Sequence, residues 1–135
     1  MSGDESPTGV TEGDGYAVAG SLAALGDGPG FRKVRQALGV TAFGVNAIVL
    51  PHDYATSFHA HEEQEELYFV HSGEIEIEFG DGSSHRLGPG GMARVDPATP
   101  RRVRNVGSGE ATYLCAGGKD GYVGRDGKSV EPGDA

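Results

Sequence analysis

From Gly73 to Leu87 the chain reads GEIEIEFGDGSSHRL, and this stretch limits the folds open to it. Ile75, Ile77 and Phe79 alternate with Glu74, Glu76 and Glu78, the two-residue period of a strand with one apolar and one solvated face. Asp81-Gly82 follows at once, and Asp-Gly favours the tight turns that fold a strand back into a hairpin. Similar runs recur: VTAFGVNAIVL ending at Pro51, then EELYFVHSG, GPGGMARVDP, TPRRVRNV and ATYLCAG. Roughly eight short strands at 8–12-residue spacing, with no long helix, predict a sandwich or a closed barrel. The 24 glycines among 135 residues are scattered rather than periodic, as tight turns require.

The length suits one domain, and no internal repeat divides it. Residues 1–15 hold Asp4, Glu5, Glu12 and Asp14, no Lys or Arg and few apolar side chains, which predicts a disordered tail. The barrel is expected over residues 16–118. Residues 119–135 are Gly-rich and read as a loose tail on which Tyr122 and Val123 dock. GSLAAL suits a short helical turn. FRKVRQALGV fits either a helix or the opening of a strand, and its Arg32, Lys33 and Arg35 read as a solvated basic segment.

The net charge of −9 argues against nucleic acid and against anionic membranes, since both need clustered cations. No apolar run approaches the ~20 residues of a membrane-spanning helix, and the N-terminus lacks the basic start and apolar core of a secretory signal. With Cys115 as the single cysteine, no intrachain disulfide forms; a cytoplasmic location is the expectation.

The chemistry concentrates in SFHAHEEQEELYFVHSG. His59 and His61 share parity, so on a strand both imidazoles point to one face, about 7 Å apart along the backbone. Glu66 opens the next strand after a four-residue turn and is expected beside them across a hairpin. Two imidazoles and a carboxylate converging in this way suit Fe(II), Mn(II) or Zn(II). The bland alternative is a solvated acidic turn containing two histidines. Tyr68 and Val70 share parity with Glu66 and should face the same cavity. His71 has the opposite parity, and His52 and His85 read as surface residues. Asn46, in an apolar strand, either points into the cavity or satisfies the wall. Phe43, Val45, Ile75, Ile77, Phe79, Val95 and Val103 read as plain core.

This stretch resembles the first motif of the cupins, with His59, His61, Glu66 and Gly73 at the family spacing. LGPGGMARVDPATPRRVRN resembles the second, from Gly90 to Asn105, and the likeness extends over about residues 31–117. It implies an all-β, double-stranded β-helix (jelly-roll) barrel, often a homodimer, with a small-molecule site at its mouth. It departs from the pattern at Asp96, Ala98 and Arg101. Arg101 stands where the family's remaining histidine ligand falls, and a guanidinium does not ligate a metal. Two outcomes remain open. His59, His61 and Glu66 hold a divalent metal (Fe, Mn, Ni or Zn), with Arg101, Tyr68 and Asn46 meeting an anionic ligand in oxygenase, isomerase or lyase chemistry. Otherwise Arg101 pairs with Glu66 in a metal-free binding or sensing module.

Overall fold

The computed structural model describes residues 9–130. A hairpin, β1 (Val10–Gly13) and β2 (Tyr16–Ala19), leads through a 3-10 turn at Leu22–Leu25 to β3 (Gly30–Arg32) and a one-turn helix α1 (Val34–Leu38). Then come β4 (Gly44–Leu50), β5 (His59–His61), β6 (Glu65–Ser72), β7 (Ile75–Phe79), β8 (Ser84–Leu87), β9 (Met92–Val95), β10 (Arg101–Asn105), β11 (Ala111–Gly118) and β12 (Gly127–Ser129). Two five-stranded antiparallel sheets result, ordered β3-β4-β11-β6-β9 and β12-β5-β10-β7-β8. This is the single-domain jelly roll. Among the described residues no helix is long and apolar enough to cross a membrane.

The core lies between the sheets and is built by strand alternation. Ile48, Leu50, Tyr68, Val70, Val95, Ala111 and Tyr113 enter it from one sheet, and Ile75, Ile77 and Val103 from the other. Glu78 on the outer face pairs with Arg102 at 2.8 Å, and Glu74 with Arg86 at 3.0 Å. The hairpin expected at Asp81-Gly82 forms, with Gly82 at φ +91° and Ile75 opposite Leu87. Val95 and Val103 are core as expected, but Phe43 is 47% exposed.

The structure differs from the expectation at both ends. The predicted disordered stretch falls in part on residues 1–8, outside the described residues. From Val10 onward it is a hairpin instead, with Val10 only 2% exposed. Its turn is Asp14-Gly15, with Gly15 at φ +88°, the same signal that closes β7 onto β8. In the segment expected as a loose tail, β12 joins the sheet: Gly127 pairs with His61, Lys128 with Ala60 and Ser129 with His59. FRKVRQALGV resolves into both of its readings, strand β3 followed by α1. The helix ends at Gly39, whose φ of +77° suits a left-handed cap.

The motif residues Gly73 and Asn105 shape the backbone. Gly73 has φ +76°, and a Cβ there would lie 2.6 Å from the Glu110 carbonyl oxygen. The Asn105 amide donates to the carbonyls of Leu50, Pro51 and Gly109, while its oxygen accepts from Gly107 N–H. Gly90, at φ +88°, has open space around the same position. Gly73→Ala is therefore expected to cost about 2–3 kcal/mol, and Gly90→Ala about 1 kcal/mol from backbone strain alone. Urea denaturation of the two variants checks that order.

Candidate functional site

His59 and His61 come from β5, and Glu66 from β6. These strands belong to different sheets, so the hairpin expected to join them does not exist. The residues meet across the gap at the barrel mouth, and one ligand atom from each lies within 4.8 Å of the others. The two imidazole rings are nearly perpendicular, with centroids 5.3 Å apart. His59 Nδ1 lies 3.4 Å from its neighbour Ser57 O, which leaves Nε2 for the site. Burial, followed by the Arg101 charge, lowers the His59 pKa, so its ring is neutral near pH 7.

His61 is held more firmly. Its Nδ1 lies 2.7 Å from Asp126 Oδ1, and Asp126 is itself fixed by the backbone N–H groups of Glu63 and Gln64 and by the Gln64 amide. With the Nδ1 proton given to Asp126, the Nε2 lone pair faces inward. That Nε2 is buried without a hydrogen bond, 3.3 Å from Glu66 Oε2. The nearby Glu66 carboxylate raises the His61 pKa, burial lowers it and Asp126 raises it again, with a net upward shift. Asp126 was invisible to sequence reasoning: it follows Gln64 by 62 residues, in a Gly-rich segment with no motif.

Glu66 divides its two oxygens between two tasks. Oε1 accepts from Tyr68 O–H at 2.8 Å and from Arg101 Nη2 at 3.0 Å, whereas Oε2 faces His61. Burial would raise the Glu66 pKa, but His61, the Tyr68 hydroxyl and Arg101 together bring it down to about 2.

Arg101 is not where a ligand can meet it. It is 0% exposed and absent from the cavity wall. Its Nη1 donates to the carbonyls of Thr99 at 2.7 Å and Pro97 at 3.1 Å, with Asp96 O at 3.4 Å, and its Nε to Tyr68 at 3.3 Å. The expectation that Arg101 grips an anionic ligand is corrected on this ground: every edge of the guanidinium faces a protein acceptor. Arg101 instead clamps the 96–99 turn, the part of the second motif that departs from the family pattern.

The Tyr68 and Asn46 side chains both reach the cavity, which measures about 960 Å³. Tyr68 is nearly enclosed and stacks with Tyr113, so it touches the cavity only at its edge. The Asn46 amide makes no hydrogen bond among the described residues, which favours its cavity-facing reading over a satisfied wall position. His52, His71 and His85 are exposed and away from the site.

The three site residues fit a divalent cation: two imidazole nitrogens and one carboxylate oxygen suit such an ion, and a buried His61 Nε2 without a hydrogen bond already faces the third ligand. Arg101 does not occupy the same oxygen, so its pairing with Glu66 and the ligand set coexist.

Removing one partner of the buried pair strands the other. Arg101→Leu is expected to destabilise the fold by about 3–5 kcal/mol, and Arg101→Leu/Glu66→Leu to recover part of that loss. A double-mutant denaturation cycle measures both. The pH dependence has a definite sign. Glu66 has a lower pKa folded than its ordinary 4.5, so its stabilisation is present above pH 4.5 and lost as pH falls toward about 2. Acid titration followed by circular dichroism should show this loss in the wild type and not in Glu66→Gln.

No curated protein matches the chain. Among solved structures, a sugar phosphate isomerase of the cupin superfamily from Silicibacter pomeroyi superposes with TM-score 0.60 at 26% identity, over 66% of this chain and 58% of that one. Peruvianin-I, a cysteine peptidase from Thevetia peruviana latex, superposes with TM-score 0.57 at the same 26% identity, over 66% of this chain and 56% of that one. Both alignments take in less than two thirds of the other chain. A cupin protein from Bacteroides fragilis is matched more fully, over 81% of this chain and 87% of that one, with TM-score 0.61 and 24% identity. The isomerase and the peptidase share the barrel fold with this chain. The sequence family described as Cupin domain matches residues 46–117, more than half of the chain, and the protein belongs to that family.

Proposed function

We propose that this cupin is a divalent-metal-dependent enzyme acting on a small molecule in the barrel mouth, with isomerase-type chemistry as the first to assay. The observation that carries the metal is His61 Nε2. It is buried, lacks a hydrogen bond and is aimed beside Glu66 by the Asp126 contact on the opposite ring nitrogen. His59, His61 and Glu66 would hold the ion. Bound there, it would supply Lewis-acid polarisation of a carbonyl or hydroxyl oxygen. The likeness to the Silicibacter pomeroyi isomerase supports an isomerase assay before an oxygenase or lyase assay.

The residues of the chain supply the rest. Arg101 neutralises Glu66 and keeps its Oε2 turned toward the histidines. Tyr68 O–H fixes Oε1. Asp126 holds His61 in the tautomer with Nε2 free. Asn46 offers an unpartnered amide to a bound molecule. A cytoplasmic setting, on the strength of the single cysteine, and a homodimer, on the strength of the family resemblance, belong to the same proposal.

A second reading is favoured by one contact. With the Arg101–Glu66 pair closed at 3.0 Å, a protonated His61 between Glu66 and Asp126 would itself supply the missing cation, giving a metal-free binding module. Metal content separates the two. The metal reading expects about one equivalent of Fe, Mn, Ni or Zn in untagged protein dialysed without chelator, and none in His61→Ala. Asp126→Asn is expected to weaken metal binding by about 10–100-fold, read by competition with a chromophoric chelator. Affinity should fall with pH, because a proton on His61 Nε2 competes with the ion. A wild type that takes up no metal even on reconstitution supports the metal-free module.

A further inference from the structure

Residues of the α1 segment and of the segment leading into β12 also line the cavity. Among the described residues Arg32, Lys33, Arg35, Lys119, Arg125 and Lys128 have no carboxylate partner, and of these Lys33, Arg35 and Arg125 line the cavity. Arg86, Arg94, Arg101, Arg102 and Arg104 each have a carboxylate partner. Arg35 instead stacks on Tyr122, its guanidinium carbon 4.0 Å from the ring centroid, which holds it at the wall and leaves its N–H edges available.

The acids of the same cavity offset these charges only in part. Glu66 is neutralised by Arg101, and Asp126 keeps its charge while hydrogen-bonded to His61, Gln64 and two backbone N–H groups, so three cations face one carboxylate. The cavity therefore carries uncompensated positive charge in a protein whose net charge is −9. Such a concentration of like charge is costly without an anion and steers anions inward with one. The position is also bound to the site: Arg125 precedes Asp126, the residue that orients His61.

We infer that Lys33, Arg35 and Arg125 form an anion subsite that selects a small organic phosphate, with the phosphate held at this wall and the rest of the molecule directed toward His59, His61 and Glu66. This deepens the reading of the cavity as the small-molecule site, and it does not depend on a metal being bound. It replaces Arg101, which the fold encloses, with three cations that the cavity exposes. Bidentate Arg–phosphate pairing accounts for two arginines where lysines alone would give only point charges.

The test is a calorimetric titration of the full chain, chelator-treated and metal-loaded, with inorganic phosphate, ribose 5-phosphate and ribose. Ribose 5-phosphate is expected to bind at least about tenfold more tightly than ribose in both preparations. Lys33→Gln/Arg125→Gln, which changes two exposed side chains, and Arg35→Gln should each weaken ribose 5-phosphate by about tenfold or more and leave ribose unaffected. Lys119→Gln/Lys128→Gln removes the same charge outside the cavity and should leave the phosphate titration unchanged. His61→Ala should lose metal yet keep inorganic phosphate binding, so failure of the metal reading leaves the subsite standing. Equal binding of the two sugars in chelator-treated protein overturns the subsite. So does phosphate binding that needs the metal, or an equal loss in the Lys119/Lys128 variant.

Discussion

The pair of Arg101 and Glu66 joins the two sheets at the barrel mouth. Arg101 comes from β10 in one sheet, Glu66 from β6 in the other, and both are removed from water. Either charge alone would be expensive to bury. Together with Tyr68 and three carbonyls of the 96–99 turn they make a polar cluster whose members satisfy one another. The turn then anchors β5, because His61 N–H donates to Pro97 O at 2.8 Å. The placement of the histidines thus depends on an arginine that does not touch the cavity.

The division of the Glu66 carboxylate has a chemical consequence. An arginine where a histidine ligand is expected looks like the loss of a metal site, since a fixed cation repels a second one. The structure separates the two in space: the guanidinium takes Oε1 and the carbonyls behind it, and Oε2 stays on the histidine side. Neutralising Glu66 also removes the ligand set's only charge. A divalent ion held there, beside Arg35, Lys33 and Arg125, would leave the cavity strongly positive and suited to anions.

Much of the barrel was legible in the sequence. The alternation at Ile75, Ile77 and Phe79, the Asp81-Gly82 turn and the outward glutamates are local properties, and local periodicity decides which face a strand side chain takes. The same rule put His59 and His61 on one face, and Tyr68 and Glu66 on another common face. Two of the errors came where composition was used in place of pattern. The acidic start hid an Asp14-Gly15 hairpin, and the Gly-rich end hid a strand and the Asp126 contact. Arg32, Lys33 and Arg35 read as solvated because nothing local shows that α1 lies against the barrel mouth.

By itself the sequence determined the strand faces, the turns and the grouping of His59 and His61 with Glu66, because each rests on residues within about ten positions of one another, where backbone geometry is set. Only the tertiary structure decided that β5 and β6 lie in opposite sheets, that Arg101 is enclosed, that Asp126 orients His61 and that three unpaired cations share the cavity. These are contacts between residues some 30 to 90 positions apart. They depend on how two sheets close on each other and not on the preference of any one segment.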